Sequence, residues 1–106
     1  MFELRIYESH NEQKANLKVE MFNSGEIQVM RDTQLAPVFY GQTLISNDAP
    51  NLVYMTSAAN KDEHKEHWQA FRVHPEWKRL KKLPKYKDTV SKITKMFLVP
   101  TPYSQI

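Results

Sequence analysis

Four short runs in this chain are continuously apolar, and they restrict its fold more than any other feature. They lie within three predicted strands: Val38–Tyr40 and Leu44–Ile45, Leu52–Met55, and Met96–Val99. Continuous apolar runs are typical of strands that are covered on both faces. A chain of 106 residues can form one small domain with a single core. Its own helices can cover only one face of a small sheet, so another layer must cover the second face.

The first half of the chain predicts a strand, a helix and a second strand. Residues 2–7 alternate between apolar and polar positions, with Phe2, Leu4 and Ile6 between Glu3, Arg5 and Tyr7, which predicts a strand with one buried face. Ser9 followed by Glu12 has the spacing of a capping box, and Asn11 is a competing cap. A helix is expected from there to about Arg31, and a strand over Val38–Ser46.

The second half predicts a hairpin partner, a broken helix and a last strand. After the turn residues 47–51, Leu52–Ser57 forms the third strand. Asn60 begins the second helix, which ends at His74 because Pro75 disfavours a helical conformation in the preceding residue. Proline is favoured at the first position of a helix, so a short helix should follow at an angle. The last strand is expected at Ile93–Val99.

The predicted order is β-α-β-β-α-β with an extra short helix, which is the ferredoxin-like α+β arrangement in one domain over residues 1–106. Two helices leave one face of the sheet uncovered. An exposed apolar face of that size is unusual in a soluble monomer, and pairing of two identical chains is the commonest solution. We therefore expect a homodimer, and the segment 100–106 is placed to strengthen it.

The corner around Pro75 and the two ends of the chain resemble the NIPSNAP family. The matching stretches are Phe2–Tyr7, Gly41 in the second strand, Trp68–Trp77, and Leu98–Ile106. The resemblance covers nearly the whole chain and implies a dimeric α/β barrel, in which two sheets pack face to face. It implies no catalytic residues, because relatives in this superfamily include cofactor-independent monooxygenases, haem-binding enzymes and proteins without known chemistry. Similarity of fold therefore cannot choose among them.

Composition and charge exclude several classes of function. The chain has no cysteine and only two isolated glycines, so thiol chemistry, phosphate-binding loops and dinucleotide fingerprints are excluded. Residues 1–77 carry seven basic and eleven acidic side chains, whereas residues 78–95 carry eight basic and one acidic. The third strand lacks the stacking aromatics of RNA-binding domains, so we interpret the basic segment as solvated surface and do not expect nucleic acid as a partner. No stretch approaches a membrane span, and a cytoplasmic location is expected.

A cleft between the helices and the sheet is the best candidate for a binding site. Tyr40, Tyr54, His64 and Trp68 are the expected lining residues, and the expected ligand is a small apolar molecule. The first hypothesis is a binding or interaction protein without turnover. The second is a cofactor-independent monooxygenase or isomerase, with His64 or His67 as its base. These two histidines are one turn apart, but with no third ligand evident we expect no metal site, and we expect no cofactor.

Overall fold

The sheet has four antiparallel strands with the first strand near its centre. The computed structural model describes residues 1–44 and 51–106. The strands are β1 (Phe2–Glu8), β2 (Pro37–Gln42), β3 (Asn51–Ser57) and β4 (Lys92–Leu98). Their spatial order is β2-β3-β1-β4, so β1 pairs with both β3 and β4. This is the predicted ferredoxin-like order. The second strand ends at Gln42 rather than at the predicted Ser46, since Thr43 and Leu44 lie beyond it, and Ile45 and Ser46 lie outside the described residues.

The first predicted helix is present but interrupted. It consists of α1 (Glu12–Met21), a π-helical turn (Phe22–Glu26) and α2 (Ile27–Asp32). Asn11 is the N-cap, because its side chain accepts the Lys14 N–H at 2.8 Å. Gly25 lies in the π turn, where a Cβ atom would be 2.9 Å from Leu80 Cδ1. Close packing against a neighbouring helix therefore accounts for glycine at this position.

The second helix begins and breaks where the sequence predicts. It comprises α3 (Lys61–Val73) and α4 (Pro75–Lys81), and a short 3₁₀ turn follows at Pro84–Tyr86. Asn60 caps α3 by accepting the Glu63 N–H at 2.9 Å. His74 has an extended backbone and caps α4, because its Nδ1 accepts the Glu76 N–H at 3.1 Å. The proline therefore produces a helix–cap–helix corner rather than a loop.

The core lies between the helices and one face of the sheet. Its most buried members come from the helices, the loop before β2, and β3: Phe22, Val29, Met30, Leu35, Tyr54 and Phe71. Trp68 and Trp77 pack against this cluster but are only partly buried. Part of each indole therefore stays available at the edge of the helical layer.

The first strand shows the predicted alternation, and its charged residues are on the face that the helices cover. Glu3, Arg5 and Tyr7 are buried beneath the helices, with 3%, 9% and 7% of their surface exposed. The apolar residues of the strand lie on the opposite face and are only partly buried. An alternating pattern shows which residues share a face, but not which face the helices cover. The alternation predicts a strand with one buried face, and the structure shows that this face carries Glu3, Arg5 and Tyr7.

The face of the sheet opposite the helices carries an apolar patch, which we call the open face. The strand register places eight apolar side chains there: Phe2, Leu4, Ile6, Phe39, Val53, Met55, Met96 and Leu98. Phe39, Met96 and Leu98 are each at least 40% exposed. The chain thus carries apolar residues on both faces of its sheet, as the continuous apolar runs predict.

Candidate functional site

A cluster of polar and aromatic side chains lies where α3 crosses β1. Glu3 Oε1 is 3.2 Å from His64 Nε2 and 3.2 Å from Trp68 Nε1. His64 and Trp68 are four residues apart on α3, and therefore on the same face of that helix. Glu3 faces the helices because it alternates with the apolar residues of the open face. The position of Glu3 is thus set by β1, and the positions of His64 and Trp68 are set by α3.

The hydrogen bonds in this cluster constrain the histidine proton. Trp68 Nε1 lies 3.1 Å from His64 Nε2 as well as 3.2 Å from Glu3 Oε1, but an indole N–H is a donor only. Glu3 can accept from both neighbours when His64 carries its proton on Nε2. In this tautomer Nδ1 carries no proton and is an acceptor. Nδ1 is buried and has no partner within residues 1–44 and 51–106. The carboxylate therefore orients both rings.

Arg5 is a buried cation whose hydrogen-bonding capacity is almost unused. Its guanidinium lies over the Trp68 ring, with Cζ 4.3 Å from the ring centroid. The closest carboxylate oxygen, Glu3 Oε1, is 3.6 Å from Nη1, which is too long for a good hydrogen bond. Arg5 Nε is buried and has no hydrogen-bond partner in the described part of the chain. A guanidinium has five N–H donors, so this group can still bind an acceptor.

These residues line a cleft of about 290 Å³ between α3 and β4. Arg5, Glu3, His64 and Trp68 line its inner part, and Phe97, the register partner of Glu3 on β4, also lines it with half of its surface exposed. The remaining lining residues are all cationic and exposed: Lys61, Lys65, Arg72 and Lys95. The volume is near the lower end of the range for small-molecule sites.

A second cavity of about 340 Å³ lies on the other side of the Arg5–Trp68 stack. Its wall contains an ion pair in which Lys18 Nζ is 3.1 Å from Glu26 Oε2. Both residues are at least 95% buried. Burial raises the pKa of the Glu26 carboxyl above its usual value, and the nearby lysine opposes this effect.

The structure separates the four expected lining residues into two pairs. His64 and Trp68 lie together in the cleft, as described. Tyr54 is fully buried in the core, where its hydroxyl is 2.7 Å from the Tyr7 hydroxyl and its ring stacks on Tyr40 at 5.8 Å. Burial raises the pKa of Tyr7 to about 12 and that of Tyr54 well above its usual value. Tyr40 instead borders a shallow depression beside β2, and burial raises its pKa to about 12.

Sequence reasoning missed Glu3 and Arg5, the two groups that organise the cleft. The available signal was their position: two charged residues alternate with apolar ones in a strand with neighbours on both sides. Charged residues are rarely fully buried unless they are paired, so a charged residue in a strand does not by itself indicate a buried site.

The other histidines do not complete a metal site in the described ranges. No group of three or more His, Cys, Asp or Glu side chains within residues 1–44 and 51–106 has the arrangement needed to hold an ion. His74 instead lies with its Nε2 3.4 Å from Asp32 Oδ2. In the basic segment, Lys85 pairs with Glu20 at 3.2 Å and Lys92 with Glu8 at 3.9 Å.

None of the helices in the described residues combines the length and apolar character needed to cross a bilayer.

The fold defines a ferredoxin-like α+β protein, and its candidate site is the cleft that α3 forms with β1 and β4. The sequence signature of the NIPSNAP family matches residues 2–105, and the chain belongs to this family. No curated protein matches it significantly.

Solved structures of NIPSNAP proteins share this fold. Protein Atu4242 from Agrobacterium tumefaciens superposes with a TM-score of 0.87 at 17% identity, over 99% of this chain and 97% of its own. It is described as a NIPSNAP family protein with unknown function. Atu5224 from the same organism gives 0.86 at 17% identity, over 99% and 96% of the two chains. An uncharacterised NIPSNAP-like domain protein from Burkholderia xenovorans gives 0.85 at 17% identity, over 97% and 86%. At these identities the likeness shows the fold alone.

Proposed function

We propose that this protein is a homodimeric, single-domain binding protein that holds a small, largely apolar molecule in the cleft between α3 and β4. The observation that carries the proposal is the cleft itself, in which buried polar groups converge beside the faces of Trp68 and Phe97. Apolar walls with a few fixed polar groups are typical of small-molecule sites. The absence of cysteine supports a reducing compartment, and we propose the cytoplasm.

Native mass spectrometry of gently purified protein tests the binding function. We expect a bound mass that survives purification and disappears in Trp68→Ala. Gln69→Ala is the matched control, because Gln69 is the next residue on α3, is exposed and does not line the cleft. Retention of the same mass in Trp68→Ala would place the ligand elsewhere and contradict the proposal.

The proposed dimer pairs two open faces. Exposed Phe39, Met96 and Leu98 give this face a contiguous apolar surface, and stable interfaces bury roughly 800 Å² per partner. The tail that follows β4 adds further exposed apolar groups, with Val99, Tyr103 and Ile106 more than 60% exposed. Two chains related by a two-fold axis would bury both sets together.

Sedimentation equilibrium at low micromolar concentration tests the pairing. We expect a dimer for the intact chain, a weaker dimer after deletion of residues 100–106, and a monomer for Leu98→Asp. Lys95→Asp is the control, because Lys95 is on the same strand but on the opposite face. A wild-type species of 12.5 kDa would refute the pairing and the barrel.

A second candidate function is catalysis without a cofactor, as a monooxygenase or isomerase. The Glu3–His64 contact favours it, because a carboxylate that orients an imidazole is a common arrangement for a general base. Oxygen uptake with electron-rich phenols, compared between the wild type and His64→Gln, tests the monooxygenase form. Uptake that is equal in the two proteins would exclude His64 as the base.

A further inference from the structure

The cleft beside α3 carries an excess of positive charge among the described residues. Five cationic side chains line it, against the single carboxylate of Glu3. That carboxylate is already occupied by the neighbouring His64 and Trp68 rings. The four cations at the rim form no ion pair within the described residues. A cleft lined mainly by one sign of charge attracts a ligand of the opposite sign.

Arg5 is the cation of this cleft whose position is fixed by packing. Arg5 is 9% exposed and lies on β1, and its guanidinium is stacked on Trp68, so the group is held in place, unlike a mobile surface side chain. Its Nε lacks any partner in the described chain. A buried donor without an acceptor is costly, and a planar guanidinium matches the two oxygens of a carboxylate. Arg5 itself lines the cleft that the rim cations surround.

The walls of the cleft are suited to a flat apolar body rather than to a bare anion. Phe97 is half exposed and lines the cleft together with Trp68, and its ring centroid is 6.1 Å from that of His64. Lys61 Nζ lies 5.0 Å from the centroid of the Phe97 ring, so one of the rim cations is next to this aromatic side chain. The small volume limits the ligand to a compact molecule.

We infer that the ligand of this cleft is a small monocarboxylate with a flat apolar body, whose carboxylate binds Arg5 and whose body packs against Trp68 and Phe97. This inference rests on the proposed binding function and specifies its ligand class. A free phosphate shares the negative charge but would leave both aromatic walls without a partner.

Isothermal titration with three probes tests the charge and the shape separately. We use cinnamate, its neutral amide cinnamamide, and inorganic phosphate. Cinnamate is expected to bind at least about tenfold more tightly than cinnamamide, because hydrogen bonds to a charged group are the stronger ones. Its affinity should fall as salt is added, since the rim charges are exposed and screened. Phosphate is expected to bind more weakly than cinnamate.

Three variants locate the binding in the cleft. Arg5→Gln should weaken cinnamate binding by about tenfold or more, since it removes the charged donor. Lys95→Gln, at the exposed rim, should weaken it by a smaller factor and reduce its salt dependence, and it tests the inference even if Arg5→Gln fails to fold. Lys78→Gln is the control, because Lys78 is exposed on α4 and does not line the cleft.

Equal affinity for cinnamate and cinnamamide, no cinnamate isotherm, or phosphate binding as tight as cinnamate would each overturn the carboxylate inference. So would unchanged affinity in both Lys95→Gln and a folded Arg5→Gln. The broader binding function is judged separately by the mass retained in native mass spectrometry. A retained neutral molecule that is lost in Trp68→Ala would leave that function standing while the carboxylate inference failed.

Discussion

Removal of one member of the buried Lys18–Glu26 pair should be among the most damaging single changes in this protein. Lys18 Nζ lies 3.1 Å and 3.3 Å from the two carboxylate oxygens of Glu26, and 3.5 Å from Met21 Sδ. The ammonium is also surrounded by aromatic rings, with centroids at 5.4 Å for Tyr7 and 5.0 Å for Phe22.

The expected magnitude follows from the burial of both charges. Breaking a buried ion pair by removing one partner costs about 3–5 kcal/mol, because the other charge is left uncompensated. Small domains unfold with about 5–15 kcal/mol, so Lys18→Met or Glu26→Gln would remove a large share of the stability. The double variant Lys18→Met/Glu26→Leu removes both charges and keeps the volume, so it should unfold within about 1 kcal/mol of the wild type or be more stable.

Urea denaturation followed by circular dichroism measures these free energies of unfolding at one fixed protein concentration, since dimerisation would otherwise change them. The exposed pair Lys85–Glu20 is the control. Its atoms are 3.2 Å apart, nearly the same distance, but both side chains are about half exposed. Lys85→Met should therefore change the free energy by less than about 1 kcal/mol. Single variants at Lys18 and Glu26 that lose less than about 1 kcal/mol, or a double variant that loses the sum of both, would refute the reasoning.

The pH dependence of Lys18→Met provides a second check. Burial raises the pKa of Glu26 in the folded protein, so the folded state binds a proton more readily than the unfolded state does. A carboxyl with a raised folded pKa destabilises the protein above that pKa, and the cost disappears as the pH falls towards the unfolded value. The stability deficit of Lys18→Met relative to the double variant should therefore be largest at neutral pH and shrink in mild acid. A deficit that grows in acid would contradict this assignment.

Three further predictions concern the core and the helix corner. The pKa of Tyr7 is raised to about 12 from its usual 10.0, so the wild type should lose stability as the pH rises from about 10 to 12. In urea melts, Tyr7→Phe should reduce this loss of stability. At neutral pH the same variant should cost about 1–3 kcal/mol, because the Tyr54 hydroxyl loses its partner. Gly25→Ala should destabilise by about 1–3 kcal/mol in the same assay, because the added Cβ would lie 2.9 Å from Leu80; an unchanged midpoint would show that α4 yields freely. Trp77→Ala should cost about 3–5 kcal/mol, since its ring packs 4.7 Å from Phe71, and a loss below about 1 kcal/mol would contradict that packing role.

The local elements of the fold follow from the sequence because their causes are local. Asn60 caps α3 through a hydrogen bond to a residue three positions away, and Pro75 restricts the residue directly before it. His64 and Trp68 share a helix face because four residues make about one turn. Each of these features depends on neighbours within a few residues, so the printed sequence is sufficient to predict it.

Two features were decided only by the tertiary structure. Eight positions separate Lys18 from Glu26, and their side chains meet across a segment in which Gly25 departs from helical backbone geometry, which the sequence spacing does not predict. The alternation in β1 is equally consistent with either face pointing towards the helices. The chain connections and the packing of α3 chose the face that carries Glu3 and Arg5. That choice buried a guanidinium in the cleft and left the apolar residues on the open face, because a strand has two equivalent sides until other elements pack on one of them.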